Sequence, residues 1–118
     1  MKTVFILEDE AGIREVLELL FESENYNVST FADIKEFNSR PSTIIPDIFI
    51  LDVMLPDGIG TDVCNQIKLN NNTAHIPVMM MSAHAKVLEM ENTCKPNEFV
   101  SKPFDLNDVL TKVRMLTS

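Results

Sequence analysis

Tryptophan is absent from the chain, and it has only one tyrosine, three glycines and two cysteines in 118 residues. Two cysteines are too few for a disulfide scaffold, and Cys64 and Cys94 have neither a CxxC nor a Cys/His spacing, so both are expected to be reduced bystanders. Any metal must then be bound by oxygen. Basic charge is also scarce. With 10 Lys and Arg against 18 Asp and Glu, the net charge is -8, and a phosphate backbone or an anionic lipid surface would be repelled. Neither nucleic acid nor membrane is an expected partner. No apolar run approaches the ~20 residues of a membrane span, and the short run before Glu8 leaves no room for a signal-peptide core, so a cytoplasmic protein is expected. No repeat or Ser/Gly linker divides the chain.

What is present is enough apolar material, 45% of residues, for the core of one domain spanning residues 1–118. Short apolar runs alternate with helical stripes. Thr3 to Leu7 reads as a strand, and Ile13, Val16, Leu17, Leu20 and Phe21 then recur at the spacing of one helix face. Asn27 to Phe31 makes a second strand, Asp33 to Ser39 a short helix, and Asp47 to Leu51 a fully buried third strand. Pro56, Gly58 and Gly60 punctuate a loop before a helix through Val63, Cys64 and Ile67. Ile76 to Met81 is the fourth strand, Ala85 to Thr93 a weak helix, and Glu98 to Ser101 the fifth strand. Leu106, Val109, Leu110, Val113 and Leu116 form the last helical stripe, with Asp105 as its N-cap. The run Met79-Met80-Met81 reads as buried strand, because alternate residues face opposite sides. Such alternation implies a parallel sheet with right-handed crossovers and helices on both faces, a three-layer α/β sandwich.

The polar residues that interrupt this pattern fall at equivalent places. Glu8, Asp9 and Glu10 end the first strand, Asp52 the third, Ser82 the fourth and Lys102 the fifth. In open α/β sheets that carboxyl edge is where ligands bind. Taken one at a time, each residue has a plainer reading as a turn, cap or solvated group. Taken together, three carboxylates within ~4 to 6 Å repel by up to ~4 kcal/mol per pair and require positive charge. Mg²⁺ suits oxygen ligands beside a phosphate, and Lys102 adds a fixed cation. Asp52 is then placed as a nucleophile toward a phosphoryl group, giving an aspartyl phosphate.

At this point the sequence closely resembles the response regulator receiver domains of two-component signalling, over essentially its whole length. The resemblance is carried by Phe5-Ile6-Leu7-Glu8-Asp9-Glu10, Leu51-Asp52-Val53-Met54-Leu55-Pro56-Asp57-Gly58, Pro77-Val78-Met79-Met80-Met81-Ser82-Ala83 and Phe99-Val100-Ser101-Lys102-Pro103-Phe104. It implies a flavodoxin-like (βα)5 fold with strand order 2-1-3-4-5. It further implies Asp52 as phosphoacceptor, with Mg²⁺ held by Glu8, Asp9, Asp52 and the backbone carbonyl of Met54. Ser82 and Lys102 would contact the phosphoryl oxygens, and Phe99 would be an aromatic switch, against a plain packing role. Lys102-Pro103 matches a position where the family often has a cis bond. Met54 and His84 would flank the path of the hydrolytic water, His84 either orienting it or lying solvated.

The implied activity is that of a signalling switch rather than an enzyme. It would take its phosphoryl group from a histidine kinase, a phosphotransfer protein or a small phosphodonor, and signal through the face of the fourth helix, fifth strand and last helix. The receiver of that signal is a downstream protein or, in a phosphorylation-dependent homodimer, a second copy of the chain. Twenty positions separate Ser82 from Lys102, a little short for the family, and Thr93-Cys94-Lys95-Pro96-Asn97 replaces its usual Gly-Ala turn. A pseudo-receiver that binds a partner without phosphorylation is the alternative, and the intact acids, hydroxyl and lysine argue against it. A haloacid-dehalogenase-type phosphatase is set aside because Met54 stands where that chemistry needs a general acid. No effector domain is expected after the last helix, which fits either a stand-alone receiver or a piece of a longer regulator.

Overall fold

In the computed structural model, residues 1–83 and 94–118 are described. The order is β1 (Thr3–Leu7), α1 (Ala11–Ser23), β2 (Asn27–Phe31), α2 (Ile34–Asn38), β3 (Ile48–Asp52), α3 (Gly60–Leu69), β4 (Val78–Ser82), β5 (Glu98–Ser101) and α4 (Leu106–Thr117). A short antiparallel pair, Met54–Leu55 with Gly58–Ile59, lies between β3 and α3. The five strands are all parallel in the order β2-β1-β3-β4-β5. The expected flavodoxin-like sandwich is therefore the fold. The weak helix expected over Ala85 to Thr93 lies outside the described residues, as does His84.

Strand alternation sorts the core into two layers. Val4, Ile6, Ile48, Ile50, Met79 and Met81 pack with Leu17 and Phe21 of α1 and with Val109, Leu110 and Val113 of α4. Phe5, Leu7, Phe49, Leu51, Val78 and Met80 face the other way, onto Phe37 of α2 and Val63, Cys64 and Ile67 of α3. The three consecutive methionines thus belong to both layers, as a buried strand requires. Each fully buried side chain of this size contributes roughly 1.5 to 3 kcal/mol, so neither face can be given up without losing the sheet.

The helix ends follow local chemistry. Asn25, at φ 67°, ends α1 in the left-handed conformation, and the Tyr26 N–H donates to Phe21 O at 3.0 Å in a Schellman arrangement. Asp33 caps α2 by accepting from the Glu36 N–H at 2.7 Å, and Asp105 caps α4 by accepting from the Asn107 N–H at 2.7 Å. β3 runs one residue further than its apolar run suggests. The Val53 N–H donates to Met81 O at 3.0 Å, which keeps Asp52 in the ladder. Lys102-Pro103 is cis, as expected.

One expectation fails. Cys64 and Cys94 are not separate reduced thiols; they are joined in a disulfide with Cα atoms 5.8 Å apart. Their separation of 30 residues hides the contact, because only the crossover from α3 through β4 brings the chain entering β5 back against α3.

Candidate functional site

The sheet order places β1 and β3 side by side, so the acids at their carboxyl ends meet. Glu8 follows β1 and is fully buried, Asp52 closes β3 at 5% exposure, and Asp9 is exposed. One carboxylate oxygen from each lies within 4.8 Å of the others. Lys102, just past β5, reaches across β4 to donate to Glu8 Oε1 at 2.5 Å and Asp52 Oδ2 at 3.1 Å. Its backbone N–H donates to Ser82 O at 2.9 Å, which ties the ends of β4 and β5 together. Above these groups opens a cavity of about 230 Å³, lined by Asp9, Glu10, Asp52, Met54, Ser82, Ala83 and Lys102. The convergence expected from the sequence is present.

Electrostatics within the cluster are strained. Burial pushes the Glu8 carboxyl from its ordinary 4.5 up to about 8, the hydrogen bond and charge of Asp52 add to the rise, and Lys102 opposes it. For Lys102 itself burial works against the charge, but the hydrogen bonds to Glu8 and Asp52 outweigh it and the ammonium is held above its usual range. One cation therefore faces three carboxylates. Glu8 Oε2 is buried with no hydrogen-bond partner among the described residues, a state that normally costs about 1 to 3 kcal/mol. An all-oxygen set with an orphaned buried carboxylate oxygen fits a hard divalent cation.

Three supporting residues have contacts at the site that the sequence does not reveal. Arg14, on the first turns of α1, donates from Nη1 to the backbone oxygens of Glu8 at 3.0 Å and Asp9 at 3.3 Å, holding the acidic turn. Gly60 starts α3 so close to β3 that a Cβ there would collide with the Asp52 carbonyl, and its N–H donates to Val53 O at 2.6 Å. Asp57 accepts from the N–H groups of Ile34 and Lys35, both at 3.0 Å. Gly60 stands in the sequence as loop punctuation and Asp57 within the run Leu51 to Gly58, but what each of them touches, like the Arg14 contacts, is tertiary. Met54 opens the short antiparallel pair, is 53% exposed and lines the cavity. Phe99 is partly buried against the α2/α3 layer, and its carbonyl accepts from Lys112 Nζ at 3.4 Å.

The response regulator receiver domain family matches residues 4–114, and the chain belongs to that family. It is 30% identical to the response regulator ArlR of Staphylococcus saprophyticus, over 98% of this chain and 52% of the relative. The chain spans about half the length of the curated relatives it matches. Among solved structures, the response regulator TrrA of Thermotoga maritima, in complex with Mg²⁺-BeF, superposes with a TM-score of 0.86 at 24% identity, covering 98% of this chain and 99% of the other. The beryllofluoride-activated NtrC4 receiver domain dimer superposes at 0.83 with 26% identity, covering 99% and 97%. Among the described residues no helix is long and apolar enough to cross a membrane.

Proposed function

We propose that this receiver domain takes a phosphoryl group onto Asp52 in a Mg²⁺-dependent reaction and signals through the change that follows. The observation that carries the reading is the meeting of Glu8, Asp9 and Asp52 within 4.8 Å beneath a cavity that Ser82 and Lys102 also line. Glu8, Asp9, Asp52 and the Met54 carbonyl would hold the cation. When bound, Mg²⁺ supplies positive charge against the phosphoryl oxygens.

The chain's own groups do the rest. An Asp52 carboxylate oxygen attacks phosphorus and the bond to the donor breaks, the donor being the imidazole of a histidine kinase or phosphotransfer protein, or a small acyl phosphate. Lys102, already 3.1 Å from Asp52, offsets the charge that the phosphoryl group brings. The Ser82 hydroxyl, on the cavity wall, donates to a phosphoryl oxygen. Phe99 follows Ser82 inward as the switch side chain, and the signal passes to a downstream protein or to a second copy of the chain. Met54 on the rim hinders the hydrolytic water, and His84 would tune the same step by orienting that water. The 1–118 unit acts as a switch rather than a turnover enzyme, in the cytoplasm where its donors are expected.

The test is intact-mass spectrometry after incubation with Mg²⁺ and acetyl phosphate, with beryllofluoride binding measured in parallel, on the wild type and Asp52→Asn. A single adduct that needs both Mg²⁺ and Asp52 is expected. An adduct that persists in Asp52→Asn, or none in the wild type, overturns the assignment.

A further inference from the structure

The phosphoacceptor chemistry leaves the cysteine pair unused. Cys64 is fully buried on α3 and Cys94 is 4% exposed, and the bond between them spans 30 residues of sequence. β4, with Ser82 at its end, lies inside the loop so closed. Cys94 falls between Ser82 and Lys102 in the chain, the two residues that would contact the phosphoryl group. The bond therefore anchors the link between them to α3, the helix that starts at Gly60 against the Asp52 carbonyl. In a compartment poised by glutathione, a disulfide is more often a transient or regulatory bond than a structural one.

We propose that Cys64 and Cys94 form a reversible dithiol–disulfide site whose disulfide state opposes phosphoryl occupancy of Asp52. The coupling rests on the phosphoacceptor reading above. The oxidant is a small disulfide of the glutathione class. The Cys94 thiolate, the less buried of the two, attacks one of its sulfurs, expels one thiol and leaves a mixed disulfide. The Cys64 thiolate then attacks the Cys94 sulfur and expels the second thiol. Two electrons and two protons pass from the cysteines to the oxidant, and a dithiol reductant reverses the sequence.

The direction follows from the geometry. Lys102 Nζ lies 3.1 Å from Asp52 Oδ2, so a phosphoryl group added to Asp52 must enter between them and displace the lysine outward. Lys102 follows directly on β5, and the chain entering β5 is held to α3 at Cys94, so the bond restrains that displacement. Linkage then makes the effect mutual: whatever factor the disulfide takes from phosphoryl affinity, the phosphoryl group takes from disulfide stability.

The wild type is equilibrated in oxidised and reduced glutathione, the disulfide fraction is read by alkylation and intact mass, and beryllofluoride affinity is measured at saturating Mg²⁺ in both states. The oxidised form is expected to bind about fivefold more weakly or worse, and saturating beryllofluoride to shift the glutathione ratio at half-oxidation by the same factor. Cys64→Ser and Cys94→Ser should match the reduced wild type and ignore glutathione, and the reduced wild type itself serves should either variant fold poorly. Equal or tighter binding in the oxidised form, or a pair that does not oxidise, overturns the proposal while leaving Asp52 as phosphoacceptor. Beryllofluoride binding in neither state overturns the phosphoacceptor reading, and the coupling with it.

Discussion

The Asp57 carboxylate, on the turn that follows β3, accepts the N–H groups of Ile34 and Lys35 at 3.0 Å and so caps α2 from outside that helix. Asp33 satisfies a third N–H of the same end at 2.7 Å. The turn beside Asp52 and a five-residue helix are thus held together by one carboxylate.

The backbone hydrogen bond from Ile34 leads the causes that hold the Asp57 carboxyl below its usual value. A depressed carboxylate contributes stability above its unfolded pKa, and that contribution is lost as pH falls through the folded one. Asp57→Ala should lower Tm at pH 7, and the gap from wild type should close in acid. Thermal melts between pH 7 and pH 3 check this, and a gap that does not shrink would show that the carboxylate's charge is not the cause.

Glu8 gives the opposite sign. Its carboxyl is raised from 4.5 to about 8, so in the metal-free protein the native state keeps a proton that the unfolded state has released. Stability must then fall as pH rises from about 4.5 toward 8, at up to about 1.4 kcal/mol per unit. Glu8→Gln should flatten that slope, so that the variant gains on the wild type with rising pH. Urea unfolding in EDTA at pH 5, 6.5 and 8 measures the difference.

Removing Lys102 should weaken the fold and improve the acids as metal ligands. The ammonium is the one cation among the described residues that pairs with Glu8 and Asp52. Lys102→Met should cost about 1 to 3 kcal/mol in the metal-free protein, through carboxylates left without a partner. Millimolar Mg²⁺ should recover part of that loss, and Mg²⁺ affinity from calorimetry should rise, since no lysine competes for the oxygens.

Gly60→Ala tests whether the approach of α3 to β3 positions Asp52. The added Cβ has no room against the Asp52 carbonyl, and relief by backbone movement should cost about 1 to 3 kcal/mol. The same movement should reduce the yield of beryllofluoride adduct. An Ala variant with wild-type stability and adduct yield would show that the loop accommodates the methyl group without disturbing Asp52.

Particular residues show why some of this was legible in the primary structure. Val4 to Leu7 and Ile48 to Leu51 are apolar at every position, which identifies strands buried on both faces and hence a parallel sheet. Asp52 and Ser82 break such runs at their ends and Lys102 follows the shorter last strand, and a doubly wound sheet sends all such ends to one edge. Fold and phosphoryl-site candidates could be read because local periodicity and strand-end position carry them. β3 ended one residue late because a ladder hydrogen bond to Met81 retains Asp52, which hydropathy does not register.

Other features had no local signature. Arg14 closing on the Glu8 and Asp9 carbonyls, Asp57 capping α2 and the bond between Cys64 and Cys94 each join segments that only the packed sheet and helices bring together. The degree of charge strain at Glu8 belongs with them, because burial and the distances to Asp52 and Lys102 set it. Residue order thus dictates the strand and helix periods, the topology and the chemical types gathered at the sheet edge. Which donor meets which acceptor, and which thiol meets which, depends on distances between remote elements that arise when both faces of the sheet are covered.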